Sequence, residues 1–292
     1  MTGTGTFWQR LVRGVRRLRQ QPYWSDFAGP DWAERIMQAE VTDRFHAKQG
    51  RTIARWTLDA DDRRLVVYLK RHYRLPWLHG LLALLWPGGS WSPAMQEWEH
   101  LEWARSAGLP VPAAAAGGEF IGPWGRLQSF LAVEELTGML ALHEAVPLAA
   151  ERLPPLLFRR WKRELTRQMV AVTRSLHDRR RFHKDLYLCH FYIDERDTRR
   201  LPDWRGRVQL IDLHRLGHHR LTWPWWRIKD LSQLFYSSDV PGVDARDRLW
   251  FWRLYFGDAR RRRSVRWLRQ AIRLQAWNYQ RRHERRLRRR AA

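Results

Sequence analysis

Two aspartates in the second half of the chain have the neighbours and the spacing that phosphoryl transfer requires. Asp185 follows His183 and Lys184 in the segment FHKDLYLCHFYI. A histidine, a basic residue and an aspartate in this order are typical of the loop whose carboxylate orients an attacking hydroxyl and takes its proton. Asp212 ends the apolar run 208–211, and a short strand there would present its carboxylate to a Mg²⁺ ion that bridges nucleotide phosphates. A lone His-x-Asp tripeptide is common by chance, but the two segments together predict a phosphotransferase.

A lysine and a glutamate lie upstream in the order that phosphotransfer requires. The run RLVVYLK is apolar and strand-like and ends at Lys70, whose ammonium would reach the nucleotide phosphates. Ser92 and the proline after it predict the start of a helix that carries Glu97 in its early turns. A helix glutamate of this kind pairs with the strand lysine and fixes its reach. Glu97 is the predicted partner, and Glu99 and Glu102 are its rivals on other faces of the helix.

Three further positions are candidates for binding nucleotide or metal. Gly50 is a single glycine between two strand-like stretches and would form the turn that covers the phosphates, although a plain hairpin turn explains it almost as well. The segment SFLAVEELTG joins the predicted lobes, and backbone groups of Glu135 and Leu136 would bind adenine there. His190 lies five residues after Asp185, where protein kinases have an asparagine that helps hold Mg²⁺. An imidazole is a poor Mg²⁺ ligand, so His190 either coordinates the metal, bonds phosphate or orders the loop.

These motifs resemble those of the bacterial lipopolysaccharide core kinases that phosphorylate heptose or Kdo sugars, a branch of the protein-kinase-like superfamily. The resemblance runs from about residue 44 to about residue 248, is strongest after residue 176, and leaves both basic ends outside. The residues that carry it are Glu97, Trp98, His183, Lys184, Asp185, Tyr187, Cys189, His190, Phe191, the segment Ile211–Arg215, Lys229, Asp230, Leu231 and the segment Tyr236–Ser238.

The resemblance implies both a fold and an activity. The fold is α+β and bilobal, with a small β-rich N-lobe and a mostly helical C-lobe. The activity is transfer of phosphate from ATP, with Mg²⁺, to a heptose or Kdo hydroxyl of the lipopolysaccharide core. Two alternatives stay open: a pseudokinase scaffold, which the single Gly50 favours, and a kinase that acts on a protein or a small molecule. The site residues would be His183, Lys184 and Asp185 for catalysis, Lys70, Glu97, Gly50, Glu135 and Leu136 for the nucleotide, and Asp212 and His190 for the metal.

The charge of the chain indicates a polyanionic partner. Lysine and arginine number 54 against 30 acidic residues, a net charge of +24. Large apolar residues recur at helical spacing among the N-terminal arginines, which predicts an amphipathic helix that either lies on an anionic membrane or packs on the N-lobe. Lipopolysaccharide core or another anionic glycolipid would match this charge. The 19 tryptophans raise the alternative of nucleic acid, but no recognised nucleic-acid motif occurs. The residues of the predicted amphipathic helix are Phe7, Trp8, Leu11, Val15 and Leu18.

The organisation along the chain follows from these segments. We predict a basic amphipathic segment over 1–30, a lobe of strands with one helix over 31–135, a mostly helical lobe over 136–258 and a basic helical tail over 259–292, which as an alternative is a disordered end. The single Cys189 excludes an internal disulfide. No N-terminal signal pattern is present, and the apolar run 75–86 is too short to span a bilayer. The expected location is the cytoplasm, peripherally at the inner face of the bacterial inner membrane.

Overall fold

The chain forms two compact units, each with its own secondary structure. The computed structural model describes residues 6–39, 43–48, 50–86 and 88–291. Unit 1 comprises Met1–Ala107 and Pro112–Leu136, and unit 2 comprises Gly108–Val111 and Thr137–Ala292.

Unit 1 is built on an antiparallel sheet. In the described residues this sheet has six strands in the order β1-β5-β6-β4-β3-β2. The elements of unit 1 are, in chain order, α1 (Phe7–Arg13), β1 (Val15–Gln20), α2 (Trp24–Ala28), α3 (Trp32–Arg35), β2 (Asp43–Lys48), β3 (Arg51–Ala60), β4 (Arg63–His72), α4 (Trp77–Leu85), α5 (Pro93–Ser106), β5 (Ala114–Ile121) and β6 (Leu127–Glu134).

Aromatic side chains fill the core of unit 1 on one side of the sheet. Trp24 of α2 and Trp32 of α3 are buried and meet edge to face, with ring centroids 5.8 Å apart. Trp32 also meets Phe130 of β6 at 5.6 Å. Such ring pairs stabilise a core beyond the area that they bury. Short helices that look unremarkable in the sequence are therefore fixed to the sheet by their tryptophans.

Three expectations for unit 1 are wrong. The helical spacing predicted as far as Leu18 ends at Arg13, because the next six residues form β1 and pair with β5. The region 31–135 contains α3 and α4 in addition to the predicted helix α5. Arg71 and His72, which as polar residues at a strand end are expected to be exposed, are buried. The guanidinium of Arg71 donates hydrogen bonds to the carbonyl groups of residues 36, 37 and 39. No local sequence pattern predicts these contacts.

Unit 2 is mostly helical, as predicted for the second lobe. Its strands form small antiparallel sheets, β10-β9-β7 and β11-β8. The elements are β7 (Met139–Ala141), α6 (Leu142–Arg152), α7 (Pro155–Asp178), β8 (Arg181–Phe182), β9 (Phe191–Asp194), β10 (Gln209–Leu210), β11 (Gly217–His218), α8 (Trp223–Ser237), α9 (Ala245–Phe256) and α10 (Arg263–Ala291).

The long helices of unit 2 carry its core. The buried face of α7 includes Trp161, Leu165 and Met169, which recur at helical spacing in the sequence. The basic tail is helical as predicted, since α10 packs against α8 and buries Val265 and Ile272. No helix in the described part of the chain is both long and apolar enough to cross a membrane.

Candidate active site

In unit 1 the strand lysine and the helix glutamate form an ion pair. Nζ of Lys70 on β4 lies 2.6 Å from Oε1 of Glu97 on α5. Both side chains are largely buried, so solvent screens their attraction only weakly. The rival glutamates have other contacts: Glu99 accepts from Ser90 and lies near Arg19, and Glu102 accepts from a glutamine. The structure therefore selects Glu97 among the three predicted partners of the lysine.

The position of α5 explains why Glu97 reaches the sheet. Ser92 is the N-cap of α5, and its hydroxyl accepts the N–H of Met95. The buried carboxylate of Glu119 on β5 accepts from the backbone N–H and the hydroxyl of Ser92, which ties the start of the helix to the sheet. A Cβ atom at Gly117 would lie 2.9 Å from the ring of Trp98, so a glycine there allows α5 to pack closely.

The other candidate nucleotide positions of unit 1 lie in a turn and at a strand end. Gly50 follows β2 with a φ of 78°, and its carbonyl accepts the N–H of Tyr73 at 2.7 Å. Glu135 follows β6, and its N–H donates to the Val66 carbonyl at 2.9 Å, so that donor is already used. The carboxylate of Glu135 accepts two hydrogen bonds from Arg55. Leu136 is the last residue of unit 1 before the chain enters unit 2. The nucleotide-binding roles of Gly50, Glu135 and Leu136 stay predictions.

In unit 2 a buried aspartate holds the loop that carries Asp185. Asp230 on α8 accepts the backbone N–H groups of His183 and Lys184, both at 2.8 Å. Asp230 also lies 3.2 Å from Nε2 of His177 on α7. Hydrogen bonds to an ionised acceptor are stronger than neutral ones. They also hold Lys184 in a left-handed conformation, with a φ of 68°, immediately before Asp185.

His183 links this loop to the segment that carries Asp212. Its side chain is fully buried, and Nε2 lies 2.9 Å from the carbonyl of Ile211. A carbonyl only accepts, so Nε2 carries the proton, and the buried Nδ1 has no hydrogen-bond partner among the residues that the structure describes. Burial lowers the pKa of His183, which agrees with a neutral ring. His183 therefore positions the two aspartate segments relative to each other within unit 2.

Asp185 is already engaged by neighbouring side chains. Nη1 of Arg215 lies 2.8 Å and 3.1 Å from its two carboxylate oxygens. Gln233 of α8 donates to one of these oxygens at 3.3 Å and to the hydroxyl of Tyr187 at 3.1 Å. The carboxylate is fixed in orientation, and a substrate hydroxyl that bonds to it must displace or share these donors.

Asp212 fits one part of a magnesium site. It has a φ of 65°, a conformation that costs a non-glycine residue roughly 1–2 kcal/mol and turns the chain sharply after β10. Nδ1 of His214 lies 2.6 Å from Oδ1, and Nε2 of His190 lies 3.8 Å from Oδ2. Among the described residues no group of three or more metal-ligating side chains occurs. A single carboxylate suits Mg²⁺, because this ion is usually held by one or two carboxylates together with substrate phosphates.

His190 orders the loop, whichever ligand it meets. Its Nδ1 lies 2.6 Å from the carbonyl of Asp185, so Nδ1 donates and Nε2 faces Asp212. Burial alone would lower the pKa of His190, but the Cys189 side chain and Asp212 outweigh it and raise that pKa. An imidazole nitrogen is a softer and poorer ligand for Mg²⁺ than a carboxylate oxygen. Its contact with the Asp185 carbonyl favours the loop-ordering alternative.

A group of cations lies beside Asp185. Lys184 and Lys229 place their ammonium groups 4.9 Å and 5.3 Å from the ring centre of Trp226. Burial, and then the charge of Arg215, lowers the pKa of each lysine. Neither ammonium forms an ion pair within the part of the chain that the structure describes. We call Lys184, Arg215 and Lys229 the cation cluster; it is suited to an anionic ligand near the base.

Sequence reasoning missed the residues that hold and neighbour the base. Asp230 and Lys229 were noticed only as part of a resembling stretch, and Arg215 only as part of the segment that contains Asp212. Gln233 had no recognised signal at all. One signal could have found them. Lys229, Asp230 and Gln233 are spaced so that they share one polar face of α8, but this face points to the site only when α8 is known to lie under the loop.

Comparisons with known proteins identify relatives over most of the chain. Residues 43–255 match the lipopolysaccharide kinase (Kdo/WaaP) family. The lipopolysaccharide core heptose(I) kinase WaaP of Pseudomonas aeruginosa is 29% identical over 244 residues, which are 83% of this chain and 87% of that protein. WaaP of Escherichia coli K12 is 30% identical over 165 residues, 56% of this chain and 60% of that protein. A solved structure of WaaP in complex with acyl carrier protein aligns with a TM-score of 0.64 at 27% identity, and covers 88% of this chain and 98% of its own.

Proposed function

Because the chain belongs to the lipopolysaccharide kinase (Kdo/WaaP) family and is a kinase of a lipopolysaccharide core sugar, we propose that its acceptor is a heptose hydroxyl. The heptose(I) kinases among its relatives favour heptose over Kdo. The phosphoryl donor of a kinase of this family is ATP. We further propose that the reaction takes place at the inner face of the bacterial inner membrane, where a glycolipid acceptor and ATP are both accessible.

The framework around the two aspartates of unit 2 carries the proposal. Asp230 holds the backbone before Asp185, and His183 bonds to the carbonyl before Asp212. Base and metal ligand are thus fixed on one buried set of hydrogen bonds. Phosphoryl transfer depends mainly on positioning and on charge stabilisation, which such a framework supplies.

Each residue then has a role in the transfer. Asp185 accepts a hydrogen bond from the heptose hydroxyl, orients its oxygen and takes its proton as that oxygen bonds to the γ-phosphorus of ATP and the bond from this phosphorus to the leaving ADP breaks. Lys70, held by Glu97, neutralises charge on the nucleotide phosphates. Asp212 would hold Mg²⁺, which when bound neutralises charge on the phosphate oxygens. Arg215 leaves Asp185 when the hydroxyl arrives and is then available to an anionic oxygen.

Mass spectrometry of the acceptor tests this function. Purified protein, ATP and Mg²⁺ are incubated with isolated core glycolipid, and we expect the mass gain of one phosphoryl group, which fragmentation assigns to a heptose. Asp185→Asn should abolish the gain, whereas Asp239→Asn, which changes an exposed aspartate in the same unit, should not. ATP binding without any gain would favour a pseudokinase or another acceptor, and phosphate on Kdo would refute the heptose assignment.

A protein partner is proposed from the solved relative. That WaaP was solved in complex with acyl carrier protein. Unit 2 of this chain contains a largely apolar cavity of about 330 Å³, lined in part by Leu165, Met169, Leu234 and Phe251. A cavity of this size and character accommodates an acyl chain. Gel filtration with the carrier protein should show co-elution of its acylated form, and equal behaviour of the unacylated form would exclude the cavity as the acyl site.

A further inference from the structure

Helix α4 of unit 1 is apolar apart from the exposed His79, although it lies at the surface. Gly80, Ala83 and Leu84 form its buried side. The opposite side exposes Trp77 and Leu78 instead of the polar residues that a surface helix normally presents to water. A helix of this composition is normally buried, so its outer side calls for a partner.

Neighbouring elements of unit 1 extend this apolar surface. Helix α1 packs on α4 by burying Leu11 next to Leu84, and thereby leaves Trp8 outside. The turn at Trp124 also packs closely on α4. A Cβ atom at Gly80 would lie only 1.8 Å from the carbonyl oxygen of Gly125, the residue after Trp124. Seven large apolar residues of these elements are 48% to 72% exposed, and we call them the α1–α4 face: Trp8, Val12, Trp77, Leu78, Leu85, Trp86 and Trp124.

Trp124 is held outward by a strained backbone. Its φ is 60°, a region that bulky residues rarely adopt, and its side chain is 72% exposed. Packing of the indole within unit 1 does not compensate the cost of this backbone conformation, because most of the indole surface is exposed. Strain at an exposed residue is typical of sites that bind something else.

The stretches of sequence that supply the α1–α4 face carry charge of one sign only. The sequence contains no acidic residue in the stretches 1–25, 63–96 and 120–133, which supply α1, α4 and the turn. The same stretches contain Arg13, Arg74 and Arg126, all exposed. An apolar surface rimmed by arginine complements an anionic lipid bilayer, in which indole rings favour the headgroup level.

We propose that the α1–α4 face is the membrane-binding surface of this protein and inserts into the headgroup region of an anionic bilayer. A second copy of the chain is a poorer occupant, because an isologous contact would bring two basic, acid-free surfaces together. The helix α4 is nine residues long, so it lies in the interface and does not cross it. This inference rests on the proposed glycolipid acceptor only for its biological purpose.

Vesicle binding of the full-length protein tests the proposal without ATP or acceptor. The probes are vesicles of phosphatidylcholine alone and of phosphatidylcholine with phosphatidylglycerol. We expect the wild type to co-sediment with the anionic vesicles, and the variant Trp77→Ser with Leu78→Ser to bind at least about tenfold more weakly. The matched control is Trp267→Ser with Leu274→Ser on α10, which changes an equally exposed tryptophan and leucine among arginines. It should stay within about twofold of the wild type.

The opposite results would overturn the proposal. These are the absence of vesicle binding by the wild type, wild-type binding by the Trp77 and Leu78 variant, or a larger loss in the α10 control. Self-association of the wild type that the α1–α4 substitutions abolish, in the absence of vesicle binding, would assign this face to a second copy. Activity on detergent-dispersed glycolipid separates the two hypotheses: if phosphate is transferred but vesicles are not bound, the kinase stands and the membrane surface falls.

Discussion

At the scale of single residues, the site is defined as much by what surrounds Asp185 as by Asp185 itself. Asp230 is inaccessible to solvent and accepts from two backbone N–H groups of the loop, so its removal would leave those donors without a partner. Arg215 and Lys229 surround the base with positive charge that the described carboxylates only partly neutralise. Asp185, the proposed base, therefore lies in an electropositive environment, which suits an anionic acceptor.

The cation cluster predicts a selective effect on the acceptor. Lys229→Met should lower kcat/KM for core glycolipid about tenfold while KM for ATP stays within about twofold, because the cluster lies beside the base. Lys229→Arg keeps the charge and should retain most of the activity. Steady-state kinetics with each substrate varied in turn measures both values. A rise in KM for ATP instead would show that the cluster binds nucleotide phosphate.

At the scale of elements, the predictable parts are those with local signals. Helix α5 has a serine cap, and both α5 and α7 have prolines at their starts and apolar residues at regular spacing, so their positions follow from the sequence. Strand β1 does not, because Val15 and Leu18 fit a helix as well as a strand and only pairing with β5, about a hundred residues away in the chain, decides. Helix α4 lacks any apolar period, and the burial of Arg71 depends on carbonyls from another segment. In the site, the motif residues were predictable and their supports from α8 were not.

The pairing of α5 with β4 predicts a clean comparison between two glutamates. Glu97→Gln should lower kcat/KM about 30-fold, which corresponds to about 2 kcal/mol, because Lys70 loses its partner in a largely buried position. Glu99→Gln, two residues away on a different face, should have little effect since its carboxylate is about half exposed. Kinetics of both variants, after circular dichroism has shown that they are folded, checks this. Equal losses would contradict the pairing role.

The sheet of unit 1 predicts a pH dependence of stability. Burial, with the charges of Arg51 and Lys70, lowers the pKa of His72 from 6.5 to about 4. The unfolded chain therefore binds this proton at a higher pH than the folded chain. The free energy of unfolding should stay constant above pH 6.5 as far as His72 is concerned, and decrease by about 3 kcal/mol as the pH falls to about 4.

Urea unfolding at several pH values measures this contribution. His72→Gln removes the titrating group but keeps a side chain able to bond to Ser129, its neighbour on β6. The variant should lose less stability than the wild type as the pH falls below 6.5. Parallel curves for the two proteins would show that His72 does not titrate in this range.

At the scale of the whole molecule, net charge and the α1–α4 face have different physical roles. The charge of +24 attracts the protein to any anionic surface, and this attraction is screened by salt. Burial of tryptophan and leucine side chains is short-ranged and is not screened. The basic helix α10 therefore contributes to the attraction of the protein to an anionic membrane, while the α1–α4 face supplies the membrane contact that persists at high salt.

These roles predict how vesicle binding responds to salt. An increase in NaCl from about 0.05 M to about 0.5 M should weaken binding to anionic vesicles at least about tenfold, and a salt-resistant remainder should persist. The variant Trp77→Ser with Leu78→Ser should lose that remainder. Co-sedimentation across a salt series measures both parts, and a variant whose remainder equals that of the wild type would contradict the assignment.

The ion pair between Arg215 and Asp185 has a consequence for the hydrolysis of bound ATP by water. Both oxygens of the Asp185 carboxylate accept from the guanidinium, so a water molecule that enters the site must compete with Arg215 for them. Water is present at far higher concentration than any glycolipid and would otherwise hydrolyse bound ATP. We expect Arg215, by occupying the proposed base until a sugar hydroxyl replaces it, to protect bound ATP from hydrolysis by water, so that ATP is consumed only when the acceptor arrives.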